Sequence, residues 1–363
     1  MGLYRTVKRR KTRSRRRRKN KFWKKTFVTG ALLGGGIYFV QKTLEETSSS
    51  GQQTVIMDIT DAAGKFTSQV NKGFEEIQIK DDTPLIDLSR TNSANILLTN
   101  LKSGDVLAEK NSNVQLYPAS LTKIMTALVA IEMVDDLDKE VVMIPDYFEG
   151  LFEQEASVAG FLEDELLSFR DLLYGAILPS GADACLAIAY SLAGSEAEYV
   201  SLMNQKAVEL GLSKTHFSNV TGLHDPQNYS SAEDLTSLLK YALDNPDFYQ
   251  VFTTVEYSTE PTNFHADGVQ MFNSIFRHGE EYPKFSDFVI GAKTGFTEEA
   301  GLCLATLAEI NGESYILITA GAGAQENGPD YVEILDPLHV ADATMIYSQV
   351  EKIHERSKIN VNE

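Results

Sequence analysis

Cysteine is scarce in this chain: two in 363 residues, Cys185 and Cys303. Two thiols cannot build a disulfide framework, and each lies in an apolar run, so both are expected to be buried small hydrophobes rather than bridge partners. No C-x-x-C pair exists and the six histidines are scattered, which argues against a zinc site. Long apolar runs are missing too. The charge-free segment at residues 26–40 (TFVTGALLGGGIYFV) would span roughly 22 Å as a helix, short of the roughly 30 Å hydrocarbon core of a bilayer. Acidic residues are absent from the first forty positions, which hold 14 Lys and Arg, whereas the other 323 residues hold 19 basic and 51 acidic side chains. The net charge of −18 therefore hides a head of +14 on a body of −32. Such a body has no basic face for duplex binding, so no nucleic-acid partner is expected. Gly321-Ala-Gly323 lacks the third glycine and the βαβ context of a dinucleotide loop. A hydrophobic fraction of 43% with 9% aromatics excludes a disordered chain.

The head has a topological reading. Basic residues 1–25 form an expected cytoplasmic tail, and residues 26–40 a membrane anchor or signal h-region, with Phe22 and Trp23 at the interface. No small-x-small cleavage site follows Val40, so an uncleaved N-terminal anchor is expected, with secretion after signal cleavage as the alternative. The rest of the chain would then face the extracytoplasmic side. Residues 41–84 are polar and read as a linker. Within them Val55, Ile59, Ala62, Phe66, Val70, Phe74 and Ile77 recur at helical spacing, the pattern of a short amphipathic stalk.

Residues 85–363 read as one folded domain. Residues 94–100 and 106–109, separated by Lys102-Ser103-Gly104-Asp105, read as a hairpin. Residues 120–134 are apolar nearly all round, as a central buried helix should be. Ser195 and Ser231, each followed by acidic residues, open helices near 196–210 and 232–244. Strands are expected at 288–292, 302–310 and 314–320, and a closing helix near 340–355. Strands at both ends with helices between predict an α+β fold: an antiparallel sheet formed from both ends of the domain, flanking helices and a helical subdomain. Acidic pairs such as Glu163/Glu165 and Glu298/Glu299 read as solvated surface.

Three local patterns carry chemistry. Ser120 and Lys123 are one helical turn apart on one face, where a desolvated lysine can accept a hydroxyl proton. Pro179-Ser180-Gly181 breaks two apolar helices and leaves a serine expected to be exposed. Gly291-Ala-Lys293-Thr294-Gly295-Phe296-Thr297, placed before a strand pair, offers a cation, a hydroxyl and a glycine against which a substrate backbone can lie.

Their order and spacing, in YPASLTKIMTA, LLYGAILPSGADAC, HFSNVTGLHDPQNYSSAEDL and GAKTGFTEEAGLCLA, resemble the serine D-alanyl-D-alanine carboxypeptidases. These are low-molecular-mass penicillin-binding proteins of the SxxK acyltransferase superfamily. The resemblance runs from about residue 93 to 324. It implies a β-lactamase/penicillin-binding-protein-like transpeptidase fold and removal of the terminal D-alanine from peptidoglycan stem pentapeptides. It also implies β-lactam antibiotics as covalent inhibitors and no metal or cofactor. By the resemblance Ser120 is the nucleophile, Lys123 its general base and Ser180 the proton relay to the leaving D-alanine. Lys293 would hold that serine, Thr294 would bind the substrate carboxylate beside Gly295, and the N–H groups of Ser120 and Phe296 would form the oxyanion hole. Lys123 and Lys293 are expected to make the cleft a local positive island.

One departure stands out: the second motif of such proteins usually reads Ser-x-Asn, and here it is Ser180-Gly181-Ala182. The missing amide would contact the substrate backbone and steady the lysine. Asp183 points roughly 100° away along a helix and is not expected to replace it. A catalytically weakened penicillin-binding or cell-wall-binding protein is therefore an alternative. A β-lactamase is a further one, but residues 216–222 lack the glutamate of its E-x-x-L-N loop. His216 and His224 are expected to be structural or at the cleft rim. The Asn219-Val-Thr and Asn228-Tyr-Ser triplets read as polar loops. The carboxy-terminal β-domain and amphipathic anchoring helix of many relatives are not expected after residue 355, so the N-terminal segment is expected to do the anchoring.

Overall fold

A computed structural model describes residues 86–278, 283–323 and 337–360, all within the unit Thr83–Glu363. The basic tail, the 26–40 segment and the 41–84 linker with its stalk lie outside the described residues. Among the described residues no helix is long and apolar enough to cross a membrane.

The centre is a five-stranded antiparallel sheet in the order β2-β1-β9-β8-β7. Its strands are β1 (Asn95–Asn100), β2 (Val106–Lys110), β7 (Val289–Thr297), β8 (Gly301–Ile310) and β9 (Glu313–Ala322). Thus two strands come from the start of the domain and three from its end, as the sequence pattern predicts. Alternation along each strand serves two cores. Leu97, Ala305, Leu307, Ile316 and Ile318 face a helical lobe. Ile96, Leu98, Leu304 and Leu317 face the closing helix α8 (Leu338–Asn360) through Val340, Ile346 and Tyr347. Burying each such Leu or Ile contributes about 1.5–3 kcal/mol, so both faces hold the sheet.

The helical lobe is built round α1 (Thr122–Met133), in which every residue from Thr122 to Ile131 is buried. Around it lie α2 (Phe169–Ile177), α3 (Ala182–Ala193), α4 (Glu196–Glu209), α5 (Ala232–Leu243) and α6 (Pro246–Thr253). Four of these five starts are capped by side chains, Ser168 in a reciprocal box with Asp171, then Ser195, Ser231 and Asn245, whereas α3 follows Gly181 without one. Short ribbons β3 (Glu140–Val142) with β4 (Leu166–Ser168), and β5 (Glu256–Ser258) with β6 (Gln270–Phe272), edge this lobe. A short helix α7 (Pro283–Phe288) leads into β7.

Four local expectations differ from the structure. The segment expected to precede a strand pair is itself strand, because β7 continues through Lys293 to Thr297, paired with β8 along its length. Residue 120 does not begin the α-helix but sits in a 3-10 turn, Ala119–Leu121, that feeds it. Glu165 is not solvated surface. It is fully buried and accepts hydrogen bonds from the Leu162 N–H, Thr262 Oγ1 and His265 Nδ1, which tie the loop at 162–166 to the loop between β5 and β6. Ser180 is not exposed but only 7% accessible. The break around it folds under the preceding loop, where the Ala182 N–H donates to the Ser157 carbonyl and a Cβ on Gly181 would lie 2.8 Å from Ala159.

Candidate active site

The 3-10 turn carrying Ser120 is wedged between two glycines. A Cβ on Gly295 would lie 2.8 Å from the Ser120 nitrogen, and one on Gly222 would lie 2.0 Å from the Ala119 carbonyl oxygen. Gly295 is on β7, the edge strand of the sheet, so the serine turn rests directly on that strand. Gly222 has φ +80° and belongs to a loop arriving from the other side. No residue with a side chain fits either position without displacing the serine. Ala119 and Ser180 both have positive φ, 47° and 69°. Each is a non-glycine residue in left-handed backbone, at a cost of about 1 kcal/mol or more, and each adjoins or is a site serine.

Lys123 Nζ lies 3.0 Å from Ser120 Oγ and 2.5 Å from the Thr221 carbonyl oxygen. The lysine is 3% exposed. Burial lowers its pKa from the ordinary lysine range, opposed by Cys185 and Asp183. Lys293, on β7, is 1% exposed and donates to the Thr294 carbonyl at 3.0 Å. Burial pushes its pKa well down, and the charge of Lys123 pushes it further. The expected positive island is therefore two neighbouring ammonium groups, both under pressure to lose a proton. A lysine able to rest neutral is what a general base requires. Cys185 lies within electrostatic reach of both, and burial pushes its thiol up to about 12, so it serves as packing. Cys185 and Cys303 are both buried and unbridged.

The second-motif side is bonded more sparsely. Ser180 Oγ is buried with no hydrogen-bond partner among the described residues, so the contact expected between it and Lys293 is not made. Ala182 is buried and supplies only a methyl group. Asp183, whose pKa burial raises, accepts from the Ala159 N–H at 2.8 Å and leaves its other oxygen without a partner. It turns away to brace the loop at 157–160, as its helical position predicts.

Thr294 Oγ1 lies 3.0 Å from Ser274 Oγ, in the turn after β6. The neighbouring Asn273 donates to the Ala292 carbonyl on β7 at 2.8 Å. Phe296 is 53% exposed at the strand edge. The sequence reading missed Thr221, Asn273 and Ser274. Thr221 acts through its backbone, which no side-chain pattern reports. The Asn-Ser pair lacks a distinguishing spacing from the other motifs. His224 stacks edge-on against Tyr117 and lies 3.6 Å from Glu299, at the rim. Among the described residues no group of three or more His, Cys, Asp or Glu is placed to hold a metal ion.

Comparison with known proteins identifies relatives of the chain. The chain is 36% identical over 265 residues to D-alanyl-D-alanine carboxypeptidase DacF of Bacillus subtilis, covering 69% of this chain and 65% of that protein. It is 32% identical over 270 residues to D-alanyl-D-alanine carboxypeptidase DacD of Escherichia coli, covering 72% and 66%. The chain thus spans just under two thirds of the length of these two curated relatives. Among solved structures, a Streptomyces DD-transpeptidase superposes with a TM-score of 0.63 at 27% identity, over 73% of this chain and 98% of the other. A D-alanyl-D-alanine carboxypeptidase from Mycobacterium tuberculosis superposes with a TM-score of 0.61 at 27% identity, over 73% and 92%. The fold is accordingly that of the penicillin-binding DD-peptidases. Over residues 82–324, a stretch that holds both serines and both lysines, the chain belongs to the D-alanyl-D-alanine carboxypeptidase family.

Proposed function

We propose that the protein is a serine D,D-carboxypeptidase that removes the terminal D-alanine from peptidoglycan stem pentapeptides through an acyl-enzyme on Ser120. The observation that carries the reading is the 3.0 Å contact between Ser120 Oγ and a buried Lys123 of lowered pKa. Neutral Lys123 takes the Ser120 proton as Oγ attacks the carbonyl of the penultimate D-alanine. The N–H groups of Ser120 and Phe296 hold the oxyanion, an effect worth a factor of about 10²–10³ per donor in related chemistry. The contact between β7 and the serine turn at Gly295 supports that role, since it puts the two segments side by side. Ser180 passes the proton to the departing amine, the C–N bond breaks, and free D-alanine leaves. Water then attacks the ester and restores the Ser120 hydroxyl. Lys293 and Thr294 receive the substrate carboxylate, with Ser274 orienting the threonine.

β-Lactams would acylate the same serine. Without the glutamate of a β-lactamase their hydrolysis should be slow, so the protein should be inhibited by penicillin. The site would work outside the cytoplasmic membrane, tethered by the N-terminal segment, with the +14 head on the cytoplasmic face.

The test is release of D-alanine from a D-Ala-D-Ala pentapeptide by wild type and Ser120→Ala. Release by the first alone supports the reading, and release by neither overturns it. Ala182 and the unpartnered Ser180 favour a second reading, a weakened enzyme that binds penicillin and turns substrate over slowly. Covalent labelling by fluorescent penicillin without D-alanine release would select it, or a transfer reaction like that for which the Streptomyces relative is named.

A further inference from the structure

We propose that Asn219 is the positioning residue for Lys123, acting through the peptide between Thr221 and Gly222. The inference rests on the reading of Ser120 and Lys123 as nucleophile and base. Lys123 is a long side chain whose ammonium must sit at one place beside Ser120. Among the described residues its hydrogen bonds go to Ser120 Oγ and to the Thr221 carbonyl oxygen. The second-motif side offers nothing to hold it. Ala182 ends in a methyl group, Asp183 is turned to Ala159, and Ser180 Oγ makes no hydrogen bond among the described residues. The location of the Thr221 carbonyl therefore decides the location of the base.

Asn219 fixes that carbonyl. Its Oδ1 accepts from the Gly222 N–H at 2.7 Å, from the Thr221 N–H at 3.2 Å and from Thr221 Oγ1 at 3.3 Å. Its Nδ2 donates to the Leu223 carbonyl at 2.9 Å. The Gly222 N–H and the Thr221 C=O belong to one planar peptide unit, so holding the N–H at one end aims the C=O at the other. That peptide is gripped by Asn219 on one side and Lys123 on the other. An asparagine bonding the backbone two and three residues on is a recognised turn former, and Gly222 supplies the positive φ that the turn needs. The loop cannot slide, because the Val220 N–H donates to Glu196 Oε1 at 3.0 Å and its carbonyl accepts from Thr126 Oγ1 at 2.8 Å. Asn219 touches neither Ser120 nor any reacting atom, so its effect passes through the lysine.

The test measures acylation by a fluorescent penicillin across pH, resolved into non-covalent affinity and acylation rate constant. It is applied to full-length wild type, Asn219→Ala, Asn219→Ser and Ser120→Ala. Loss of labelling in Ser120→Ala checks the underlying reading separately. Asn219→Ala should lower the rate constant about tenfold with affinity within about twofold, the signature of a lost transition-state contribution. The acid limb of its rate profile should also move to lower pH, because a buried ammonium without a fixed acceptor loses its proton more readily. The other titratable groups facing Lys123 stay in place: Asp183 and Cys185 from α3 and Lys293 from β7, with Glu196 and Tyr199 of α4 beyond Cys185. Asn219→Ser keeps a shorter acceptor for the turn and should show the same changes at smaller amplitude, about two- to fivefold in rate. If Asn219→Ala fails to fold, the serine variant decides. An Asn219→Ala rate within about twofold of wild type, an unmoved or raised acid limb, or affinity falling in step with rate would each overturn the proposal. So would a serine variant identical to wild type.

Discussion

The two sides, or walls, of the proposed site are built differently. On the first, the Ser120 turn is wedged between Gly222 and Gly295, and Lys123 is bonded on both sides. On the second, Ser180 has no hydrogen-bond partner among the described residues, Ala182 is a methyl group and Asp183 faces away. The contrast separates the two halves of the proposed chemistry. Attack on the carbonyl depends on the well-bonded wall, whereas protonation of the leaving amine depends on the sparse one. Acylation by a β-lactam, whose amine stays attached, should therefore be less impaired than turnover of a peptide.

The largest effect should come from the first wall. Ser120→Ala should reduce acylation by a factor on the order of 10³ or more, read by penicillin labelling. Gly295→Ala should lower acylation on the order of a hundredfold, because its methyl would push on the Ser120 nitrogen and move both serine and oxyanion donor. Its melting temperature should fall too. On the second wall, Ser180→Ala should slow D-alanine release about ten- to a hundredfold while leaving stability unchanged or slightly higher, since deleting an unpartnered buried hydroxyl removes a desolvation penalty. A fall in stability there would show that the wall is bonded after all. The smallest effect should be that of Ala182→Asn, less than about tenfold on peptide turnover and smaller still on β-lactam acylation. An equal effect on both would erase the distinction between the walls.

The buried lysines add a dependence on pH. Their folded-state pKa values are depressed, so between those values and the ordinary lysine value of about 10.4 the unfolded chain binds more protons. Stability should therefore rise with pH across that window, by up to about 1.4 kcal/mol per pH unit for each lysine. It should be lowest below the window. Lys293→Met should flatten this rise in denaturant titrations carried out towards pH 10, and a rise as steep as in wild type would contradict the assignment.

Much of this was legible in the chain. Apolar-rich runs at 94–100 and 314–320, with an apolar helix after Ser120, foretold a sheet made from both ends of the domain around a buried helix. SLTK foretold that Ser120 and Lys123 meet, because helical spacing is a local property, whereas the approach of KTGF to that turn was implied only by the family resemblance. What escaped depended on long-range packing. Glu165 has the composition of surface, yet Thr262 and His265 arrive about a hundred residues later to bury it. Ser180 reads as exposed because the loop that covers it shows no periodic pattern. The carbonyl that holds Lys123 belongs to Thr221, and a backbone group is invisible to any reading of side chains.

In the proposed reaction Ser120, served by Lys123, is the acylated residue. Peptide mapping by mass spectrometry after incubation with benzylpenicillin tests it most directly. One added penicilloyl mass is expected on the peptide containing Ser120, absent from Ser120→Ala and strongly slowed in Lys123→Ala. An adduct on another residue, or one that persists in Ser120→Ala, would contradict it.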